Sequence, residues 1–478
     1  MQKGMFWAVA AGLAIAAGCG EAAVKEPTSV AHVSEGTAID PEVLVHPEWA
    51  RSASIYEVNV RQHTPEGTFK ALEADLPRIR SLGSDILWLM PIHPIGEQNR
   101  KGGENASNYI AEPGSGSLGS PYSARDYKGV NPEFGTLEDF KSLVDRAHEL
   151  GMKVILDWVA NHTAFDSKWT EEHPEYFLLD SLGELQPPTG TDWWDVTQLD
   201  WENGKENGLY AAMEDAMLYW IVEADIDGYR CDVAEKVPTD FWVQARLAME
   251  EVKRDVFMLA EADKPEHHER AFDMSYVWEG MHVMDQVGGG EWPLDSLRTF
   301  MQREEERYPR EAYRMLFVTN HDENAWKGTV EERHGANAEA MTVVASTLFG
   351  MPLIYSGQEA PNRKRLRFFE KDTVNWNGYA WSPLFTQLNA LKEAESALWN
   401  GADGAWPELL ATEADEHVFA YRRAQEGSEV LVAANLSDAE QTVSLPVNEL
   451  TLHAGAAEST EDGLVALPAR GYAIWTRK

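Results

Sequence analysis

The amino-acid sequence predicts an α/β protein, a (β/α)8 TIM barrel with a short insertion after its third strand and a C-terminal all-β sandwich domain. Short apolar runs alternate with helical periods from residue 55 onward, which is typical of repeated βα units. Eight such units fit within residues 51–400 and indicate a closed barrel. After residue 405 the apolar residues alternate with period two, which indicates a small β domain at residues 401–478.

The expected barrel strands are short and apolar, and in chain order they span residues 55–60, 86–90, 154–159, 228–233, 256–260, 274–277, 315–320 and 352–355. Apolar residues with a helical period predict helices at residues 137–150, 211–224, 241–253, 294–306 and 338–348. In the C-terminal domain, strands are expected at residues 418–422, 430–436, 441–445 and 471–475.

Two connections are longer than a bare βα loop requires. Residues 94–126 are rich in Gly, Ser and Asn, and residues 164–200 contain Trp193-Trp194 and two adjacent prolines. We expect residues 164–200 to form the small inserted domain after the third strand. Long loops at the catalytic end of a barrel are usually functional.

The N-terminal residues predict export. Lys3, an apolar run and the ending Ala-Ala-Gly-Cys19 make residues 1–19 a signal peptide with a lipobox-like end. An ordinary signal peptide with an incidental cysteine is the alternative, and the run is too short for a membrane span. Residues 20–50 read as a polar linker. We therefore expect a protein of the bacterial cell envelope, lipid-anchored in the periplasm or at the surface, or a secreted protein.

The amino-acid composition restricts the classes of partner that this protein can bind. The formal charge of −38, from 79 acidic and 41 basic residues, argues against nucleic acid and anionic membrane surfaces. It suits a neutral substrate, with membrane contact only through an N-terminal lipid. The two cysteines, Cys19 and Cys231, exclude a disulfide framework. A hydrophobic content of 44% with 18 tryptophans indicates a large core.

Polar side chains lie at the ends of four predicted strands. A strand that serves only the core does not require polar residues at these positions. Arg230 and Asp232 are two residues apart, so both point to the same face of their strand. A guanidinium beside a carboxylate keeps that carboxylate ionised, as a nucleophile requires. A buried Arg–Asp pair is the alternative. The further acidic residues Glu261 and Asp322 at neighbouring strand ends favour a catalytic site.

From residue 51 to residue 399 the sequence resembles the α-amylase family of glycoside hydrolases (family 13). The β domain is the usual companion of that barrel. Five motifs carry the resemblance, namely Ser-Pro-Tyr122-Ser-Ala-Arg-Asp-Tyr, Asp157-Trp-Val-Ala-Asn-His162, Gly-Tyr-Arg230-Cys-Asp232, Glu261 after its apolar strand, and Asn-His321-Asp322.

The resemblance implies a retaining glycoside hydrolase that cleaves α-1,4-glucosidic bonds of starch-like glucans or maltooligosaccharides. Asp232 would be the nucleophile, Glu261 the general acid/base and Asp322 the carboxylate that stabilises the transition state. The resemblance makes four further residues substrate-binding: Tyr122, His162, Arg230 and His321. Asp157 would support the end of the third strand.

Other activities of the same family stay open. A transglycosylase or an isomerase, such as a trehalose-forming enzyme, uses the same carboxylates and differs in whether water or a sugar attacks the intermediate. A non-catalytic glucan-binding protein is a further alternative. The presence of Asp232, Glu261 and Asp322 argues against it.

The sequence departs from the family pattern at positions that affect substrate specificity and metal binding. Glu235 and Lys236 stand where many α-amylases have Lys and His, which leaves the preference on the leaving-group side open. Gln198 replaces an aspartate of calcium-binding members, and Asn161 stays as the candidate metal ligand. The double-displacement chemistry requires no cofactor. We expect at most weak dependence on calcium, which needs six or more oxygen ligands.

Overall fold

The structure is a computed structural model that describes residues 43–102, 117–460 and 463–477. The predicted signal peptide with Cys19 and most of the predicted linker lie outside these residues. In the described part of the linker, a single 3-10 turn, Glu48–Ala50, precedes the first strand.

A closed barrel of eight parallel strands forms the centre of the molecule, in the order β1-β10-β9-β8-β7-β6-β3-β2. Two further strands, β4 and β5, pair antiparallel with each other outside the barrel. The ten strands are β1 Ile55–Val58, β2 Ile86–Leu89, β3 Lys153–Trp158, β4 His162–Ala164, β5 Val196–Gln198, β6 Gly228–Cys231, β7 Phe257–Ala260, β8 Met274–Tyr276, β9 Tyr313–Leu316 and β10 Met351–Tyr355.

All eight predicted barrel strands are confirmed, and the seventh is shifted. It was expected at residues 315–320, but β9 spans Tyr313–Leu316. Phe317 and Val318 continue the buried apolar run without joining the strand ladder. The run of apolar residues therefore extends beyond the end of β9. His321 and Asp322 lie in the loop that follows β9.

The helices lie outside the barrel, and all except α4 have buried side chains. They are α1 Val60–His63, α2 Phe69–Ser81, α3 Leu137–Glu149, α4 Lys168–Glu172, α5 Leu209–Ala224, α6 Thr239–Val252, α7 Trp278–Gly288, α8 Asp295–Arg307, α9 Val330–His334, α10 Ala338–Thr347 and α11 Ser382–Ala394. None of these described helices combines the length and apolarity that crossing a bilayer requires.

The inserted segment begins and ends at the small sheet of β4 and β5, in which His162 pairs with Gln198 and Ala164 with Val196. Between them lie the short helix α4 and a 3-10 turn at Pro174–Tyr176. This pairing holds the insertion over the carboxyl end of β3.

The C-terminal residues form two antiparallel sheets. The strands are β11 Glu408–Leu410, β12 Val418–Gln425, β13 Ser428–Asn435, β14 Gln441–Val443, β15 Leu450–Gly455, β16 Glu458–Ser459, β17 Val465–Leu467 and β18 Tyr472–Arg477. Five strands form one sheet, β11-β12-β13-β18-β15, and three form the other, β14-β17-β16.

The larger C-terminal sheet is buried on both faces. Phe419, Tyr421 and Val432 belong to a core shared with α8 and α10, whereas Leu431 and Ala433 pack with residues of the smaller sheet. Because side chains alternate along a strand, one face meets the barrel and the other meets the second sheet. The predicted sandwich is therefore present.

Gly228 opens the strand that carries Arg230. Its φ is +151°, and a Cβ placed on it would lie 1.8 Å from the backbone oxygen of Phe257. Only glycine lets β6 approach β7 this closely. The close approach brings the carboxyl ends of these two strands, with Asp232 and Glu261, to the same rim.

Candidate active site

A cleft of about 340 Å³ opens at the carboxyl ends of the barrel strands. Loops after β2, β3, β6, β7, β9 and β10 and the inserted segment supply its walls. The lining residues are Lys101, Ser120, Tyr122, His162, Asp192, Trp193, Asp195, Val196, Asp232, Val233, Glu261, His321, Asp322, Trp326, Phe368 and Phe369.

The Arg230 guanidinium lies buried beneath this cleft and contacts three carboxylates. Its Nη1 donates to Oδ1 of Asp157 and to Oδ1 of Asp232, both at 2.9 Å. Its Nη2 lies 2.8 Å from Oε2 of Glu261. Burial opposes its charge, but Asp157 and Glu261 raise the pKa of Arg230 well above its ordinary value. Arg230 therefore stays positively charged and fixes the two carboxylates that face the cleft.

Asp157 holds Arg230 in place from behind. It is fully buried. Its Oδ2 accepts hydrogen bonds from Nε1 of Trp88 at 3.2 Å and from the hydroxyl of Tyr122 at 2.9 Å. In the strand ladder, Asp157 on β3 pairs with Arg230 on β6. The expected supporting role of Asp157 at the third strand matches this position.

A strained turn follows the candidate nucleophile. Val233 has φ +37° and ψ +45°, a left-handed conformation that costs a β-branched residue on the order of 1–3 kcal/mol. The turn directs the Val233 N–H to Oε2 of Glu261 at 2.8 Å, while Ala234 N–H donates to the Glu261 carbonyl at 3.1 Å. The strained conformation thus holds the second carboxylate beside the first.

Burial raises the pKa of both carboxylates that face the cleft, and that of Glu261 is the higher. Burial raises the pKa of Asp232 to about 6, although the adjacent Arg230 charge pulls the value down. Burial, with Asp232 and Asp322 as negative neighbours, raises the pKa of Glu261 to about 7 despite Arg230. Arg230 lowers the pKa of Asp232, as the sequence predicts, but burial raises that pKa by more than Arg230 lowers it. Between these values, Asp232 is ionised while Glu261 carries a proton.

His321 is held by Glu57, a buried acidic residue of β1. Glu57 Oε1 lies 2.5 Å from Nδ1 of His321, and Glu57 Oε2 has no hydrogen-bond partner among the described residues. The other ring nitrogen, Nε2, lies 2.8 Å from the Tyr122 hydroxyl and 3.3 Å from Oδ2 of Asp322. Burial alone would lower the pKa of His321, but Asp322 and Glu57 raise it to about 9. At neutral pH His321 is therefore a cation that donates from both nitrogens.

His162 is the neutral counterpart on the opposite wall. Burial lowers the pKa of His162 to about 3. Its Nδ1 lies 3.1 Å from Nδ2 of Asn161, an atom that can only donate. The ring proton of His162 must then reside on Nε2, which leaves Nε2–H as a donor.

Asp322 is fixed by two neighbours, and its side chain keeps a third of its surface exposed. Oδ2 faces His321, and Oδ1 accepts a hydrogen bond from Nε1 of Trp326 at 3.2 Å. Trp326 belongs to a π-helical turn, Glu323–Lys327. Such turns are rare and occur often at functional sites.

The structure brings six of the seven predicted catalytic and substrate-binding residues to the cleft. The exception is Arg230, which was expected to touch the substrate. It is fully buried beneath the carboxylates and does not line the cleft. Its position is explained by its three anionic neighbours, and we assign it to positioning the carboxylates rather than to binding sugar.

Several site residues carry no motif that sequence reasoning recognised. Glu57 could have been found as a charged residue within an apolar strand, Ile55–Val58. Trp326 and Phe368 lie in loops after β9 and β10, where isolated aromatic residues are indistinguishable from packing residues. Their position in the cleft depends on how those loops fold.

The three tryptophans of the insertion region have different surroundings. Trp193 lines the cleft, 5.4 Å from the His162 ring. Trp194 lies under Nζ of Lys101, at 5.0 Å. Trp201 is buried and donates to the Ala160 carbonyl at 3.0 Å. Trp193 is therefore a candidate sugar contact, whereas Trp201 packs.

The two departures after the nucleophile do not line the cleft itself. Glu235 and Lys236 form a 3-10 turn after Asp232 and line an open groove of about 300 Å³ together with Lys264. Nζ of Lys236 lies 5.7 Å from the ring of Trp193, a residue that lines the cleft.

The calcium site implied by the family does not fit the residues present. Oε1 of Gln198 accepts the Thr189 N–H at 3.0 Å, and the amide of Asn161 is turned to His162. Within the described ranges, no three His, Cys, Asp or Glu side chains converge as metal ligands. A hard cation needs several oxygen ligands, mostly charged. Asn161 alone does not supply them.

We predict that calcium stabilises this protein weakly. Thermal unfolding with EDTA and with millimolar calcium should differ by at most about two degrees, because a ligand raises the midpoint only in proportion to its binding to the folded state. A shift of about ten degrees or more would contradict this and demand a tight site.

Comparison with solved structures agrees with the fold. An alpha-amylase from Lactobacillus plantarum superimposes with a TM-score of 0.77 at 32% identity, covering 90% of this chain and 100% of that one. The maltogenic alpha-amylase AmyB of Thermotoga neapolitana gives a TM-score of 0.73 at 29% identity, covering 89% and 96%.

Curated relatives include both hydrolases and transferases by name. The alpha-1,4-glucan:maltose-1-phosphate maltosyltransferase of Salinibacter ruber is 28% identical over 90% of this chain and 67% of its own length. Alpha-amylase MalA of Haloarcula japonica is 27% identical over 84% of this chain. The chain spans 58% of the length of MalA.

Two family models match the sequence. The model of the alpha amylase catalytic domain matches residues 34–380, and a model described as a domain of unknown function, DUF3459, matches residues 400–474. The first model covers more than half of the sequence and includes the whole barrel. The chain therefore belongs to the α-amylase family, with the barrel as its catalytic domain.

Proposed function

We propose that this protein is a retaining glycoside hydrolase that cleaves α-1,4-glucosidic bonds of starch-like glucans or maltooligosaccharides. The observation that carries the proposal is the pair of carboxylates, Asp232 and Glu261, held on neighbouring nitrogens of the single Arg230 guanidinium. A retaining mechanism needs two carboxyl groups close together, about 5–5.5 Å apart, and the shared guanidinium keeps these two groups beside each other at the rim of the barrel.

In the first step, Asp232 attacks the anomeric carbon as Glu261 protonates the glycosidic oxygen. The attack requires an ionised Asp232 and the protonation requires a neutral Glu261. The order of the two pKa values, about 6 and about 7, supports this division of roles. The leaving sugar departs with the Glu261 proton, and a glycosyl ester forms on Asp232.

In the second step, Glu261 acts as the base. Having lost its proton, it removes one from an incoming water, which attacks the anomeric carbon and releases Asp232. Arg230 stabilises each carboxylate when that carboxylate is charged, since it contacts both. Two inversions at one carbon give net retention of the α configuration.

The histidines would contact sugar hydroxyls in two different ways. His162 is neutral and offers Nε2–H as a donor. His321 is cationic, and its Nε2–H, which lies 2.8 Å from the Tyr122 hydroxyl, would be shared with a sugar hydroxyl; a charged donor forms a hydrogen bond roughly twice as strong as a neutral one. Glu57 stabilises that cation from within the barrel.

Transfer to a sugar acceptor is the second candidate. The Salinibacter ruber relative is named as a maltosyltransferase. Glu235 and Lys236 shape the groove where an acceptor would enter. Hydrolase and transferase share the first step, so the acceptor that breaks the glycosyl ester distinguishes them.

We predict that incubation with maltoheptaose releases shorter α-maltooligosaccharides with water as the acceptor, seen by proton NMR of the first products. Asp232→Asn and Glu261→Gln should each lose several orders of magnitude in turnover, because each removes a reacting group. Circular dichroism serves as the folding control. An initial β-anomer would overturn retention, and products longer than the substrate would favour transfer.

We predict a narrow pH optimum for kcat/KM between pH 6 and 7. Below about 6 Asp232 gains a proton and cannot attack, and above about 7 Glu261 loses its proton and cannot donate. Initial rates from pH 4.5 to 9 give the two limbs. Asp403→Asn, far from the cleft, should leave both limbs in place. A rate that stays constant from pH 5 to 8 would contradict the assignment.

We predict that Glu57→Gln lowers kcat/KM roughly 10- to 100-fold, because hydrogen bonds to charged groups contribute about 1.5–3 kcal/mol. Without the Glu57 charge the pKa of His321 falls. The loss should therefore grow as pH rises through the neutral range. Tyr56→Phe, which removes a buried hydrogen bond to Glu359 from the same strand, is the matched control. Equal losses in both variants would reduce Glu57 to a structural role.

We propose that the protein is exported and anchored to the bacterial envelope by lipid on Cys19, with plain secretion as the alternative. The apolar run ending in Ala-Ala-Gly-Cys19 supports this. Cell fractionation should find the wild type with membranes and Cys19→Ala in the soluble fraction. Equal solubility of the two would overturn the anchor.

A further inference from the structure

A guanidinium outside the cleft contacts both ends of the stretch of chain that carries Asp322. This stretch, residues 319–327, is called the Asp322 segment below and ends in the π-helical turn. Arg333 lies on the short helix α9, just beyond the segment. Its Nη2 donates to the carbonyl of Val318, the residue before the segment. Its Nε donates to the carbonyl of Gly328, the residue after the segment, at 3.1 Å. One side chain therefore bridges the two ends of the segment.

Arg333 is itself attached to a neighbouring helix. Its Nη1 contacts both carboxylate oxygens of Asp285 on α7, and the Arg333 side chain is only 8% exposed. The same nitrogen lies 3.5 Å from Oε2 of Glu323, the first residue of the π-helical turn. Hydrogen bonds from a charged donor are stronger than neutral ones. The two ends of the Asp322 segment therefore cannot separate without breaking strong hydrogen bonds to a side chain that is fixed from behind.

The Asp322 segment contains the two groups that hold the Asp322 carboxylate. His321 lies beside Oδ2, and the indole N–H of Trp326 donates to Oδ1. The Gly328 N–H donates to the Glu323 carbonyl at 2.9 Å and closes the π-helical turn that contains Trp326. A change in the distance between the ends of the segment would shift Trp326 relative to His321. It would thereby rotate the carboxylate that lies between these two side chains.

Resting on the proposed glycosidase function, in which Asp322 stabilises the transition state, we propose that Arg333 is a positioning residue for this carboxylate. Arg333 does not line the cleft, so it acts through the backbone of the Asp322 segment. It fixes the distance between the carbonyls of Val318 and Gly328 and thereby the orientation of Asp322. An interaction that is strongest in the transition state affects kcat more than KM, so Arg333 acts mainly on kcat.

The first test replaces the guanidinium by an ammonium. Arg333→Lys keeps a positive charge beside Asp285 but loses the planar fork that binds the two carbonyls. With p-nitrophenyl α-maltoside, kcat should fall roughly 10- to 100-fold, because a misplacement of about 1 Å can cost about 100-fold in rate. KM should change less than about threefold. A rise in KM at unchanged kcat would overturn the positioning role.

A double-mutant cycle shows whether the effect of Arg333 passes through Asp322. The cycle compares Arg333→Lys, Asp322→Asn and the double variant. In the Asp322→Asn background, the Arg333 substitution should lower kcat less than about threefold, because the carboxylate that Arg333 positions is already lost. Equal losses in the two backgrounds would show a general loss of structure and overturn the proposal.

Arg298→Lys is the matched control, because Arg298 makes similar contacts away from the cleft. Its guanidinium donates to the carbonyls of Asp415 and Val418, both at 3.0 Å, and its side chain is 15% exposed. This substitution should leave kcat and KM within about twofold of wild type, since distant sites act independently. Should Arg333→Lys fail to fold, Asp285→Asn carries the same comparison, because it weakens the attachment of the same guanidinium.

Hydrogen exchange separates failure of the positioning role from failure of the proposed function, because exchange requires no turnover. Peptides that cover residues 319–328 should exchange roughly tenfold faster in Arg333→Lys than in wild type or Arg298→Lys, as the loss of a charged hydrogen bond implies. If wild type hydrolyses no glycoside and this difference appears, the hydrolase assignment fails and the bridging of the segment by Arg333 stands. Unchanged exchange in Arg333→Lys would overturn the proposal, whatever the activity.

Discussion

The contact of one buried guanidinium with three carboxylates is the interaction on which the rest of this site depends. Arg230 bonds to Asp157 and Asp232 and touches Glu261; Arg230 and Asp157 are fully buried, and Asp232 and Glu261 expose only a small part of their side chains to the cleft. Removing one partner of a buried ion pair leaves uncompensated charge and is far more costly than losing a surface pair. The barrel rim brings these carboxylates to Arg230: Gly228 lets β6 approach β7, and Asp157 faces Arg230 across the ladder.

A single cation among so many carboxylates also produces the chemistry. Burial outweighs Arg230 and raises the pKa of both carboxylates, that of Asp232 to about 6 and that of Glu261 to about 7. His321 supplies the second positive charge, and Glu57 and Asp322 keep it protonated. A hydrogen-bonded series then runs from Glu57 through His321 and Tyr122 to Asp157, so that both cations are tied into one network. Charge balance and reactivity arise from the same contacts.

Most of the fold and the reacting groups could be predicted from the sequence, because local patterns carry them. Apolar runs located all eight barrel strands, and the acidic residues at strand ends located three carboxylates that the structure places in the cleft, Asp232, Glu261 and Asp322. The end of β9 was missed, because Phe317 and Val318 are buried by tertiary packing and not by pairing. The burial of Arg230 and the roles of Glu57 and Trp326 depend on contacts between residues far apart in the chain. No local pattern reports such contacts.

The bond most diagnostic of this arrangement is the ester between Asp232 and the anomeric carbon. α-Maltosyl fluoride needs no acid to leave, so Glu261→Gln should form the ester but lack the base that hydrolyses it. Peptide mass spectrometry of that variant should find a maltosyl adduct on the peptide that contains Asp232, and Asp232→Asn with Glu261→Gln should show none. An adduct on a different residue, or fluoride release with β-maltose and no adduct, would contradict the assignment of Asp232 as the nucleophile.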